Sequence, residues 1–218
     1  MRGLIEKDIR LMLQRKTFLL VFVAIAVILG IYMDGTFVVS YCCLAGLVFS
    51  ISTLSYDEYD NGYPFLFSLP ISRKGYAAEK LLFTFGCVLA GWIVGLILQI
   101  PISFFKGNLT DDITGFYTGA LLFLALFLIV VAILVPVELH FGMEKSRIAM
   151  AGLFGGCFLI GLAGPKLIEF LNINTEELKA TVLSLPVPAL VGGVIGITLI
   201  IMGASYLITA LVMEKKEF

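Results

Sequence analysis

Residues 17–55 read TFLLVFVAIAVILGIYMDGTFVVSYCCLAGLVFSISTLS and contain a single charged residue, Asp34. Asp34 and Gly35 alone separate two apolar runs, residues 17–33 and residues 36–55. A helix needs about 20 predominantly apolar residues to cross the hydrocarbon core of a bilayer, and 17–25 are tolerated. The stretch therefore predicts a tight hairpin of two transmembrane helices.

Four further apolar runs follow, at residues 81–105, 113–135, 148–163 and 186–213. The run at 148–163 is short, so we expect it either to extend into its flanks or not to cross fully. Only 14% of all residues are charged, against about 25% in soluble domains. The predicted fold is all-α: a single polytopic membrane domain over residues 1–218, with six transmembrane helices.

Residues 1–16 are too polar to be a span, and they have the pattern of an amphipathic helix. Apolar residues on one helical face alternate with charged residues on the other. The apolar set is Leu4, Ile5, Ile9, Met12 and Leu13, and the charged set is Arg2, Glu6, Lys7, Arg10 and Arg15. Such a helix lies in the membrane surface and attracts anionic lipid. A plain cytoplasmic helix is the alternative.

The positions of lysine and arginine predict the orientation, because these residues are enriched in cytoplasmic loops. With both termini in the cytoplasm, residues 1–16, 56–80, 136–147 and 214–218 hold twelve of the fifteen lysines and arginines. The predicted cytoplasmic loops are residues 56–80 and 136–147, and the predicted extracellular segment is residues 164–185. We therefore expect a multi-pass protein with both ends inside.

Chemical signatures are absent from the sequence. There is no GxxxxGK[ST] phosphate loop, and His140 is the only histidine, so neither ATP binding of that type nor a metal site is expected. The spans carry almost no interior charge, which argues against an ion-coupled transporter and an intramembrane enzyme. The net charge of −1 gives no indication of nucleic-acid binding.

Small residues supply the main pattern within the spans. GxxxG pairs occur at Gly91/Gly95, Gly152/Gly156 and Gly192/Gly196, and such pairs favour close helix packing, although chance occurrences are common. The second span also carries a weakly polar stripe, which is expected to face either another helix or a translocation path. Its members are Cys43, Gly46, Ser50 and Thr53.

The first cytoplasmic loop has the most specific content. It reads YDEYDNGYPFLFSLPISRKGYAAEK, residues 56–80, with an acidic start, an Asn-Gly turn and an aromatic and aliphatic run that ends at Pro70. Ser72 is placed to cap the helix that leads into the third span. An exposed apolar segment rimmed by charge is typical of a partner-docking helix. An interfacial loop that dips into lipid is the alternative.

This loop resembles the first cytoplasmic loop of bacterial ABC exporter permeases of the type-2 family, and the segment PVELHFGMEKSR, residues 136–147, is similar to their second. The resemblance covers the whole chain and is nearest to small permeases that export phenol-soluble modulins or other antimicrobial peptides. It implies a plasma-membrane location, a second permease copy, either identical or paralogous, and two copies of a separate ATPase subunit that binds ATP and Mg²⁺. Glu138 and His140 depart from the family's usual aromatic and lysine residues.

The resemblance also implies which residues contact the ATPase subunit. They are Asp57, Glu58, Asp60, Gly62, Tyr63, Phe65, Leu66, Leu69, Pro70 and Arg73. The chain itself is expected to have no catalytic or cofactor site, and its cargo is expected to be hydrophobic or amphipathic, with a peptide as the first choice. The alternative function is a membrane immunity or sensor protein that binds a peptide without pumping it.

Overall fold

The computed structural model describes residues 2–14, 16–58, 62–68, 70–106, 113–170 and 187–215. Every regular element in these ranges is an α-helix, which confirms the predicted all-α class. In chain order the helices are α1 (Arg2–Gln14), α2 (Lys16–Tyr32), α3 (Gly35–Glu58), α4 (Gly62–Ser68), α5 (Arg73–Lys106), α6 (Ile113–Phe170) and α7 (Val187–Lys215).

The number of transmembrane helices differs from the expectation of six. Four helical segments in the described ranges are long and apolar enough to cross a bilayer: Gly35–Glu58, Arg73–Lys106, Gly115–Gly142 and Val191–Glu214. A fifth is counted if Gly3–Gln14 and Lys16–Tyr32, bent by 70°, act as one broken span. The count differs partly because α2 has only 17 residues, the lower limit for crossing a bilayer.

The predicted second cytoplasmic loop, residues 136–147, is helical on both sides of Gly142. Gly142 has φ 77° and ψ 174°, a backbone conformation that favours glycine, and a Cβ atom there would collide with the carboxylate of Glu58. The direction of the chain therefore changes at one residue of α6 instead of over a long loop.

The distal part of α6 contains the predicted fifth span, residues 148–163. It is helical, but it is not among the segments that meet the criteria for a span. The predicted extracellular segment, residues 164–185, begins inside α6, and its remainder from residue 171 lies outside the described residues.

Helices α3 and α5 pack so closely that side chains are excluded from parts of their contact. A Cβ atom on Gly46 would collide with the carbonyl oxygen of Cys87, and one on Gly91 with that of Cys42. A Cβ atom on Gly95 would lie 2.8 Å from Cα of Val39. Glycine lets two backbones approach in this way, so the packing role predicted for the Gly91/Gly95 pair is confirmed.

Contacts between distant residues sort the helix ends into two groups. The start of α5 meets α1 through Lys80 and Asp8, and it meets the end of α7 through Arg73 and the carbonyl oxygen of Glu214. At the other end of α5, Lys106 donates to the carbonyl oxygen of Met33, 2.7 Å away. Helix α1, the short helix α4 and the end of α7 therefore share one end of the bundle.

We expect Gly91→Ala to lower the midpoint of thermal unfolding of the detergent-purified chain. The added methyl group meets backbone that has no alternative rotamer, and overpacking of this kind costs about 1–3 kcal/mol. Gly86→Ala on the same helix is the matched control, because a Cβ atom at Gly86 has no neighbour within 4 Å. Equal midpoints for the two variants would contradict the close packing.

Candidate functional site

Helix α4, with the sequence GYPFLFS, divides into a buried and an exposed side. Tyr63 and Leu66 are buried, three residues apart and hence on one face of the helix. Phe65 points the other way, and 69% of its surface is exposed. A large aromatic side chain held outward by a fixed helix is a typical anchor for a protein partner.

An aromatic cluster fixes the buried side of α4 to α5. The ring of Tyr76 on α5 lies edge-on to Tyr63, with centroids 6.0 Å apart, and edge-on to Phe67, with centroids 5.8 Å apart. Burial, followed by the nearby charge of Glu58, raises the pKa of the Tyr63 hydroxyl. Tyr63 therefore stays protonated and neutral at physiological pH, as its buried position requires.

Beneath this aromatic cluster lies a cluster of charges, four of them buried and Lys7 partly exposed. We call it the charge cluster: Lys7, Asp8, Asp57, Glu79 and Lys80. The Nζ atom of Lys80 lies 2.7 Å from Oδ2 of Asp57 and forms a second ion pair with Asp8. Lys7 forms an ion pair with Asp57 from the other side. Helices α1, α3 and α5 thus meet through one set of ion pairs.

Tyr76 joins the charge cluster to the aromatic cluster. Its hydroxyl donates to Oδ2 of Asp57 at 2.9 Å, while its ring packs against α4. Tyr76 therefore contacts α4 with its ring and, through Asp57, is linked to Lys80. The underside of the exposed helix is connected by this short path to the ends of α3 and α5.

The charge cluster is not balanced. It contains three carboxylates and two ammonium groups, and Glu79 is only 1% exposed. Its nearest cation within the described residues is Lys80, whose Nζ lies 3.9 Å away, and neither of its carboxylate oxygens accepts a hydrogen bond there. A buried carboxylate without hydrogen bonds raises the free energy of the folded state.

The start of α5 and the end of α7 are joined near the same place. The predicted cap at Ser72 is present, since its Oγ accepts from the backbone N–H of Gly75 at 3.1 Å. Arg73 donates to the carbonyl oxygen of Glu214 at 3.0 Å, and Lys74 forms an ion pair of 2.9 Å with the Glu214 carboxylate. Cations at the C-terminal end of α7 also interact favourably with its helix dipole.

The residues predicted to contact an ATPase subunit occupy different positions. Phe65, Pro70 and Arg73 are exposed, Glu58 and Gly62 are partly exposed, and Asp60 and Leu69 lie outside the described residues. Asp57, Tyr63 and Leu66 are buried and contact other helices of this chain. The structure thus leaves Phe65 as the large apolar side chain of α4 that faces outward.

The stripe predicted for a cargo path is buried within the bundle. Cys43, Ser50 and Thr53 are at most 1% exposed, and Gly46 packs against the backbone of α5. The hydroxyl of Ser50 donates to the carbonyl oxygen of Leu47, and that of Thr53 donates to the carbonyl oxygen of Ser50. In this conformation the stripe faces another helix, the first of the two possibilities that the sequence left open.

Sequence reasoning missed the charge cluster. The expectation that the spans carry almost no interior charge is corrected at the start of α5, where Glu79 and Lys80 are both buried. Their adjacency to the apolar run at residue 81 suggested flanking residues in water. A usable signal was Asp8, an acidic residue next to Ile9 on the apolar side of α1, because a carboxylate there requires a buried cation.

A comparison with known protein families identifies the class to which this chain belongs. The bundle of long apolar helices is that of a multi-pass membrane protein. Residues 3–214 match the family model described as ABC-2 family transporter protein. The chain belongs to this family and is the permease subunit of an ABC transporter, which works with an ABC ATPase partner. No curated protein and no solved structure shows significant similarity to the chain.

We expect Lys80→Met to destabilise the protein strongly. The substitution keeps the apolar stem but leaves Asp8, Asp57 and Glu79 buried with Lys7 as their only cation in the cluster, and removing one partner of a buried ion pair costs about 3–5 kcal/mol. The midpoint of thermal unfolding in detergent measures the effect. Lys74→Met is the control, since its ion pair with Glu214 is exposed; a loss as large as that of Lys80→Met would contradict the assignment.

Proposed function

We propose that this permease exports amphipathic peptides, driven by a separate ATPase subunit that binds ATP and Mg²⁺. Two permease copies and two ATPase copies form the working unit, and the cargo path lies between the permeases. The chain itself performs no catalysis and binds no cofactor. One observation carries the proposal: within a family of ABC permeases, α4 presents Phe65 outward while its other face is fixed to the bundle.

Helix α4 is the proposed coupling helix. It has the properties that force transmission requires, because an exposed aromatic anchor binds the partner and a rigid underside passes the movement on. The underside consists of Tyr63 and Leu66, both buried in the main core. A loop that only dipped into lipid would need no ion-paired support beneath it, so the charge cluster favours docking over the lipid alternative.

The orientation follows from the same site. The end of the bundle that contains α1, α4 and the end of α7 is proposed to face the cytoplasm, where ATP is available. The uneven distribution of lysine and arginine supports this placement, and the contacts Asp8–Lys80 and Lys74–Glu214 bring the first and last helices to that end. Both termini are then inside, in the plasma membrane of a bacterial cell.

An open apolar cavity on the bundle supports an apolar or amphipathic cargo. It has a volume of about 440 Å³ and lies between α5, α6 and α7, within the range of about 300–1,000 Å³ typical of ligand sites. Its lining includes Phe85, Leu122 and Leu199 and no charged side chain. A fixed charge to recognise an ion or a phosphorylated sugar is absent from this cavity. A lipid or an apolar drug is the second choice of cargo.

We expect Phe65→Asp to abolish co-purification of the permease with its ATPase subunit while leaving the permease folded. The side chain is exposed, so the change is tolerated in the free chain, but a charge replaces the apolar anchor of the interface. Phe105→Asp is the matched control, because Phe105 is 88% exposed at the opposite end of α5. If the Phe65→Asp variant still co-purified with the ATPase subunit as well as the wild-type chain does, α4 would be assigned to the lipid interface instead.

We expect an amphipathic helical peptide to stimulate ATP hydrolysis by the reconstituted complex and to accumulate inside inside-out proteoliposomes supplied with ATP. The control is a scrambled peptide of the same composition without an apolar face. An equal response to both peptides, or none to either, would remove the peptide as cargo. Binding without stimulation or accumulation would favour the alternative of an immunity or sensor protein.

A further inference from the structure

A second apolar cavity, with a volume of about 560 Å³, lies between α1, α2, α3 and α5. One row of α1 side chains forms its roof: Ile5, Ile9, Met12 and Leu13. The opposite wall is formed by α3 and α5, which contribute Phe49, Phe83 and Gly86 among others. No charged side chain lines this space, so its occupant must be apolar.

The cavity opens to the surroundings of the bundle. The exposed fractions of Ile9, Leu13, Val23 and Val94, which all line it, lie between 43% and 53%. Since α3 and α5, which form its wall, are membrane spans, this opening faces lipid. An apolar chain that enters it comes from the bilayer and needs no passage through water.

The roof is held in place by the charge cluster. Lys7 and Asp8 flank this row on α1 and form ion pairs with Asp57 and Lys80. Helix α1 is therefore attached to the bundle beside its apolar row, which covers a space that the protein does not fill. Interiors of proteins are normally close-packed, whereas this space beneath an attached helix is open to the surroundings of the bundle, so it has room for an apolar chain.

The charge beside the opening defines the polar part of the occupant. In the sequence Lys16 lies three residues from Leu13 and three from Leu19, which both line the cavity. Its side chain is exposed, one helical turn before Leu19 on α2. In the described part of the chain Lys16 has no ion pair, whereas Arg10 is paired with Glu6. An exposed ammonium group one helical turn from a lining residue of an apolar cavity is complementary to a negatively charged headgroup that carries an acyl chain.

We propose that this cavity binds one anionic phospholipid from the leaflet on the α1 side, with an acyl chain under the roof and the phosphate at Lys16. The lipid connects α1 with the contact between α3 and α5, next to the charge cluster. This site is independent of the cargo and of the ATPase subunit, so it stands whether or not the chain exports peptides.

The test measures lipid binding to the purified full-length chain by native mass spectrometry. Phosphatidylglycerol and phosphatidylcholine with identical acyl chains are the probes. The wild-type chain should retain one phosphatidylglycerol with about fivefold higher affinity than phosphatidylcholine, as one lysine near an anionic headgroup contributes. Lys16→Gln should remove this preference. Equal affinity of the wild-type chain for the two lipids would overturn the proposal.

Filling the cavity tests its acyl-chain part. Gly86→Phe should abolish binding of both lipids, because the space around Gly86 is open and a phenyl ring would occupy it. Ala90→Phe, at a second lining residue, repeats the test if the first variant does not fold. Gly192→Phe on α7 is the control, since that glycine is also open but outside the cavity. The proposal would be overturned if the cavity-filling variants bound lipid as the wild-type chain does. It would also be overturned if they kept lipid binding and lost self-association of the chain.

Discussion

The ion pairs of Lys80 hold together the end of the molecule where its functional elements meet. Lys80 is fully buried, and its ammonium group is shared by Asp8 from the N-terminal helix and Asp57 from the end of α3. Desolvation of these charges is costly, so the arrangement contributes less to stability than to geometry. It fixes which helices meet and in what register, because any other register would leave charges buried and unpaired.

The close contact between α3 and α5 is the second constraint, and it complements the first. Glycines at positions 46, 91 and 95 bring the two backbones together over the middle of the helices, whereas the charge cluster joins their ends. In a bilayer no hydrophobic driving force brings helices together, so their association depends on such close approach of the backbones. The two spans therefore behave as a rigid pair, and the short helix α4 is supported by that pair through Tyr76.

Much of the fold could be predicted because its determinants are local in the sequence. Apolar runs of span length located the helices, the Gly91/Gly95 spacing identified a packing face, and Ser72 marked the start of α5. The number of spans could not be predicted as reliably, since a run of marginal length has the same composition whether or not it crosses. The change of direction at Gly142 depends on Glu58, 84 residues earlier in the chain, and no local pattern contains that contact.

The candidate site was predictable to a different degree for its two faces. The exposed face of α4 follows from an aromatic run beside charged residues, a pattern that lies within one loop. The support beneath α4 depends on Lys7 and Asp8 in α1 and on Glu79 in α5, about 70 positions later in the sequence. In isolation each of these residues looks like an ordinary surface charge. Buried ion pairs need excellent geometry to be tolerated, and that geometry exists only once α1, α3 and α5 are assembled.

The different constraints on the two faces agree with how a coupling element works. Under the proposal the outer face binds a partner and needs an apolar anchor, and Phe65 is the large exposed aromatic side chain on that face. Under the same proposal the support beneath α4 must connect it to the spans through contacts with defined directions. The Tyr76–Asp57 hydrogen bond of 2.9 Å and the Asp57–Lys80 pair of 2.7 Å meet that need. The aromatic residues on the underside of α4 pack on Tyr76, so these polar contacts link the helix to the ends of α3 and α5.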